Sequence, residues 1–211
     1  MTFYSVLNGD FLAHRRRRIL VFFGVVAALL ALDLGIKYWA ERRLVERYRP
    51  ETHGTGSLML RQFPGEKTLY VDREIKVVGE YFTLTYVRNY NLGFSMLAFL
   101  ERWMSPAALA ILMKSLQLSA TLLVAVYFFY TGLRWWVPFT LVVAGGLGNV
   151  VDRFTRGYVV DFVKWSIPGS GIPLLDPFPV WNLADACITA ALVSFILLFF
   201  LEPKQKAPKP D

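Results

Sequence analysis

Cysteine is nearly absent from this chain. Cys187 stands alone among 211 residues, so no disulfide can close within it. Histidine is almost as scarce. His14 and His53 lie far apart with no cysteine beside them, which is not the spacing of a metal site. No cofactor is expected. No segment repeats, and no basic run alternates with aromatics as on an RNA-binding sheet. The net charge of +7 therefore points to anionic lipid rather than nucleic acid. Charged residues make up only 18%, while 55% are hydrophobic. With a mean hydropathy of +0.41, the chain is too apolar for an ordinary soluble domain.

About 20 mostly apolar residues span a bilayer as a helix. Four stretches qualify: 19–39, interrupted by Asp33 and Lys37; 107–131, containing Lys114; 135–151; and 180–201, closed by Glu202-Pro203. Ser105-Pro106 reads as an N-cap followed by proline at the first helical position. The first stretch begins like a signal peptide, with Arg15 to Arg18 ahead of it. It runs too far, to Trp39, and lacks a small-x-small cleavage site, so it reads as a retained span. Gly145, Gly146 and Gly148 invite close approach of another helix. Trp135 and Trp136 read as an interfacial belt. Cys187 reads as a small packing residue.

The expected fold is an all-α membrane protein of four transmembrane helices. A small β-rich extracytoplasmic subdomain lies between the first two. The basic N-terminus covers 1–18, the membrane domain 19–201 with its insert at 40–104, and the tail 202–211. In the insert, "KTLYVDREIKVVGEYFTLTYVRN" reads as short strands and "FSMLAFLERWM" as an interfacial helix. The tail "KQKAPKPD" reads as disordered. Arg15 to Arg18, Arg134, Lys204, Lys206 and Lys209 share one side of a four-span topology, which makes that side cytoplasmic. Arg153, Arg156 and Lys164 lie opposite and weigh against this; the first four arginines decide it. The loops 40–104 and 153–179 are then extracytoplasmic.

Ionisable residues in or beside lipid are costly, so each is a functional candidate. Asp33 and Lys37, four apart, share a helix face and can form a structural ion pair. Asp161 lies in the 153–179 loop, and Asp185 near the same membrane face in the fourth span. Two adjacent carboxyl groups cannot both ionise, so one keeps its proton. The ionised one can activate water while the protonated one polarises a carbonyl. The plainer reading makes Asp161 a turn cap and Asp185 a helix cap. A proton-coupled transporter also fits two membrane acids. Asp152 and Arg153 can pair with each other or with backbone. Asn149 and Asn182 can orient the acids or merely cap helices at the interface.

Together, "GGLGNVVDRFTRGYVVDFV" and "WNLADA" resemble the bacterial lipoprotein signal peptidase family, also called prolipoprotein signal peptidase or signal peptidase II. Its Asn-x-x-Asp-Arg block is matched by Asn149, Asp152 and Arg153. Its Val-Val-Asp-Phe-like block is matched at Val159 to Phe162, and its aromatic-Asn-x-Ala-Asp block at Trp181 to Asp185. Its first-helix Asp-x-x-x-Lys is matched by Asp33 and Lys37. The resemblance spans roughly 19–201 and is specific because the blocks match jointly. It implies a four-helix aspartic endopeptidase of the bacterial cytoplasmic (inner) membrane. Such an enzyme cuts diacylglyceryl-modified prolipoproteins just before the lipidated cysteine. The catalytic pair falls on Asp161 and Asp185. Supporting residues fall on Asn149, Asp152, Arg153 and Asn182, with Asp33 and Lys37 in the first helix. Its partners are the prolipoprotein and membrane lipid, and it acts as a monomer.

The chain departs from the family at Leu34, where glutamine is usual, at Trp181, where phenylalanine is usual, and in a longer segment between the acids. The family's Asn-x-Gly-x-x-aromatic block appears as "NYNLGF" in two possible registers. Asn91-Leu92-Gly93 keeps the glycine. Asn89-Tyr90-Asn91 keeps Phe94 and places Asn91 at the glycine position, where asparagine tolerates positive φ. The second register is preferred, which makes Asn89 the substrate-contacting residue. Residues 94–104 are expected to form a movable lid. A non-catalytic scaffold for lipidated proteins and a four-span transporter subunit remain the alternatives. The Gly-x-Gly-Asp signature of presenilin-like proteases is missing, since Asn149 follows Gly148.

Overall fold

The computed structural model describes residues 9–53, 60–90, 103–130, 135–172, 175–176 and 178–201. The interfacial helix and lid expected from Phe94 onward fall largely outside these residues, as do Asn91 and the tail 202–211. The elements run α1 (Gly9–Arg43), β1 (Val45–Arg47), α2 (Pro50–His53), β2 (Leu60–Gln62), β3 (Leu69–Asp72), β4 (Ile75–Val78) and β5 (Phe82–Asn89). Then come α3 (Pro106–Tyr130), α4 (Trp136–Thr155), β6 (Val159–Trp165) and α5 (Leu183–Leu201).

Among the described residues, three helical stretches are long and apolar enough to cross a membrane: Arg16–Arg43, Ala107–Tyr130 and Leu183–Leu201. These correspond to the first, second and fourth expected spans. The third is α4, which is less apolar and carries the most continuous buried face. It runs past Val151 through Asp152 and Arg153, because these charges turn into the protein rather than ending the helix. Ser105 caps α3 as expected, its Oγ accepting from the Ala108 amide at 3.2 Å.

The glycines let α4 sit this deeply. A Cβ on Gly145 would lie 2.4 Å from the Ala184 carbonyl oxygen of α5. One on Gly146 would meet the Thr121 side chain of α3, and one on Gly148 the Asp33 carboxylate of α1. Gly145 faces backbone, which cannot rotate away. Gly145→Ala should therefore lower stability by about 1–3 kcal/mol, read as a reduced thermal midpoint in detergent. At the opposite end of α4, Phe22 stacks on Phe128 at 4.6 Å, and Phe139 meets Phe128 and Phe195 at 5.4 and 5.1 Å. These rings close the four helices together. Trp135 joins this packing against Phe195, beyond the interfacial role expected of it.

The strands form two antiparallel sheets, ordered β1-β3-β2 and β4-β5-β6. β3, β4 and β5 fall within the strand-rich stretch the sequence indicates. The expectation of strands only between the first two helices is corrected by β6. It lies between α4 and α5, where a loop was expected, and pairs with β5. Its run Val-Val-Asp-Phe-Val is buried on both faces and so lacks the alternation that marks a half-exposed strand. Ala40, Leu44, Val45, Phe63, Tyr86, Val160, Phe162 and Val163 make one core joining the end of α1 to both sheets.

Candidate active site

Asp161 sits mid-strand in β6, opposite Val87, rather than in a turn. Its residue is 2% exposed. The side-chain amide of Asn89, on the paired β5, donates to its Oδ2 at 2.8 Å. The side-chain amide of Asn182 donates to its Oδ1 at 2.6 Å. Asp185 lies in the first turn of α5 and is only partly buried. Asn149 donates to its Oδ1 at 2.8 Å.

Asn182 joins the two acids. It stands at the N-cap of α5, where its Oδ1 accepts from the Asp185 amide at 3.0 Å. In return its own backbone N–H donates to Asp185 Oδ2 at 3.2 Å. This is a reciprocal capping box, which satisfies two amides left open at a helix start. The spare amide of the same side chain reaches Asp161. The capping reading of Asn182 and Asp185 is thus correct locally, and the cap also fixes the sheet acid beside the helix acid.

Beneath them lies a charged layer. The fully buried Lys37 ammonium is 2.7 Å from Asp33 Oδ2 and 3.0 Å from Asp152 Oδ2. It also donates to Asn149 Oδ1 at 3.2 Å. The pair read from the i, i+4 spacing is present, with partners from a distant helix that spacing does not reveal. Asp33 Oδ1 accepts from the Ala184 amide at 3.0 Å, which ties α1 to α5. Asp152 pairs with Arg156 and accepts from the Val160 amide at 3.2 Å, holding α4 to β6. The expected bond of Asp152 to backbone is thus present, with Lys37 and Arg156 as further partners. Arg153 donates to Gln117 of α3 at 2.8 Å.

Three participants escaped the sequence reading. Gln117 is a polar residue within a span, a signal that was available. Arg156 and Glu41 flank helix ends and look like solvated charges there. Glu41 accepts from Tyr158 at 3.1 Å and Tyr86 at 3.2 Å, and meets Arg156 at 3.4 Å.

Burial pushes the Asp161 carboxyl up to about 6 from an ordinary 3.8; the Asn89 amide opposes this and the nearby charge of Asp185 adds to it. The folded protein then holds this proton more tightly than the unfolded chain. The resulting stability is fully present below about 4 and is lost as pH rises through about 6. Asp161→Asn, which cannot titrate, should flatten this part of the pH dependence of the thermal midpoint. Equal slopes for wild type and variant would refute the elevated carboxyl.

No group of three or more His, Cys, Asp or Glu residues suited to a metal ion occurs among the described residues. A buried acid beside a partly buried one, both oriented by amides, is an arrangement suited to acid–base activation of water.

The family model described as signal peptidase (SPase) II matches residues 25–201. A lipoprotein signal peptidase of Xylella fastidiosa is 34% identical over 128 residues, covering 58% of this chain and 70% of that protein. One from Chlorobaculum parvum is 33% identical over 149 residues, covering 64% and 80%. A solved bacterial membrane enzyme aligns with TM-score 0.53 at 19% identity, covering 88% of this chain and 96% of that one. That likeness is one of fold.

Proposed function

The chain belongs to the signal peptidase II family, and on that premise we propose that it is an aspartic endopeptidase acting through Asp161 and Asp185. At the coarser level it is a multi-pass bacterial membrane protein of lipoprotein processing, removing signal peptides from prolipoproteins. The finer reading is that it cuts before a cysteine carrying diacylglycerol, using one water. The observation that supports the Asp161/Asp185 pair is the bond of a single residue, Asn182, to both carboxylates.

The pair holds one proton between its members. The ionised carboxylate takes a proton from water as that water attacks the scissile carbonyl. The protonated one hydrogen-bonds the carbonyl oxygen. The tetrahedral intermediate collapses when a carboxyl group gives its proton to the leaving nitrogen. Titration belongs to the pair, so activity follows a bell-shaped pH profile rather than one residue's curve. Asn89 and Asn149 orient the two acids. Arg153 faces Asp161, Asp185 and Asp152 and offsets their mutual repulsion.

In this reading α4 is the third of four crossings. It needs little apolarity because its polar residues face protein rather than lipid. The arginines at 15–18 mark the cytoplasmic end of α1, so the sheets and the site lie at the extracytoplasmic face. Purified protein given a diacylglyceryl-modified prolipoprotein is expected to release the signal peptide, seen as a gel shift. A folded sample that leaves the substrate intact would overturn the peptidase in favour of a scaffold or transporter.

A further inference from the structure

α1 leaves the membrane on the side of the sheets through an unusual band. Tyr38 and Trp39 are 50% and 39% exposed at the end of an apolar helix, where amphipathic rings seat at headgroup level. Arg42 and Arg43 follow four residues later on the same faces, about 6 Å further along the axis. Arg47 and Arg49 follow in and after β1, and all four arginines are exposed.

These arginines differ from their neighbours. Among the described residues, Arg61, Arg73, Arg88 and Arg156 each pair with a carboxylate. The side chains of Arg42, Arg43, Arg47 and Arg49 pair with none. Two of the nearby acids are engaged elsewhere, Glu46 by Arg73 and Glu41 by Arg156 and two tyrosines, while Glu51 is exposed and pairs with none of the four. Helical side chains tilt toward the helix N-terminus, which here means back toward the bilayer. Arg42 does so, its guanidinium carbon 4.4 Å from the Tyr38 ring centroid. The band thus sets unneutralised guanidinium groups at the depth of lipid phosphates.

We propose that Tyr38, Trp39, Arg42, Arg43, Arg47 and Arg49 form a binding surface for the phosphate headgroups of anionic phospholipid, in the leaflet on the sheet side. A planar guanidinium donates two parallel bonds to a phosphodiester, which a zwitterionic headgroup presents with a competing ammonium. The surface lies at the end of the helix that supplies Asp33 and Lys37, so bound lipid fixes the depth of the site relative to the bilayer. The inference rests on α1 crossing the membrane and not on peptidase chemistry. Loss of headgroup binding and loss of cleavage are therefore separate results.

The test uses the full chain in mixed micelles holding phosphatidylglycerol and phosphatidylcholine. Native mass spectrometry counts the lipid retained. Wild type is expected to retain phosphatidylglycerol preferentially, and the preference should fall about tenfold in R42Q/R43Q/R47Q/R49Q. The quadruple lysine variant should retain an intermediate preference, and added salt should weaken binding by wild type. Equal retention by wild type and the glutamine variant would overturn the proposal, as would a wild-type preference insensitive to salt. Displacement of the lipid by millimolar inorganic phosphate would also overturn it, because the surface would then read phosphate alone. Should the glutamine variant fail to fold, the salt titration of wild type decides the matter.

Discussion

Asp161→Asn and Asp185→Asn are each expected to reduce signal-peptide release by at least about 10³-fold while the protein stays folded in the membrane. Asparagine fills nearly the same volume and offers an oxygen to one of the amides now donating to each acid. Position 161 can keep either the Asn89 or the Asn182 amide, and position 185 the Asn149 amide. What disappears is the ability to carry and release a proton. The double variant should be no worse than either single one, because both acids serve one step. Substrate binding should survive, since neither change opens a cavity. The check is a gel shift of a diacylglyceryl-modified prolipoprotein for wild type and both variants. Cleavage by all three would place the reacting groups elsewhere.

Lys37→Met is expected to cost about 3–5 kcal/mol of stability, the largest such effect foreseen for a single side chain here. The ammonium stands between two carboxylates with no exposure to solvent. The two acids would suffer unequally. Asp152 keeps Arg156 and the Val160 amide. Among the described residues Asp33 keeps only the Ala184 amide and becomes a buried charge without a counterion. Adding Asp33→Asn to Lys37→Met should therefore restore much of the loss, because the amide can still accept from Ala184. Thermal unfolding in detergent reads both variants. An unchanged midpoint for Lys37→Met would mean that the buried ion network contributes little.

The sequence made some of this readable and concealed the rest, for physical reasons. Carboxylates beside apolar runs cost free energy, so Asp33, Asp161 and Asp185 drew notice without knowledge of any contact. Strands β3, β4 and β5 were visible because Val, Tyr, Thr and Phe cluster there between turn residues, whereas β1 and β2, three residues each, lie outside that stretch. Strand β6 was not, because burial on both faces removes the alternation, and its pairing with β5 spans a separation of some 70 residues. The ion pair of Lys37 with Asp33 is local and readable; its bonds to Asn149 and Asp152 depend on how α1 packs against α4. Glu41 was hidden for the same reason, since a charge beside Arg42 and Arg43 at a helix end gives no local hint of buried tyrosine partners. The preferred register of "NYNLGF" puts Asn89 forward, and its amide lies on Asp161.

The residues around the acids come from α1, β5, α4, β6 and α5, and the last of these supplies Asp185 together with the residue that joins both acids. During synthesis the chain emerges N-terminus first. Until residues 182–185 are made, Asp161 has neither Asp185 beside it nor Asn182 to aim it. In the proposed mechanism, a chain that stops before residue 182 would be unable to hydrolyse its substrate. On that mechanism, docking of the final helix is the event that arms the enzyme.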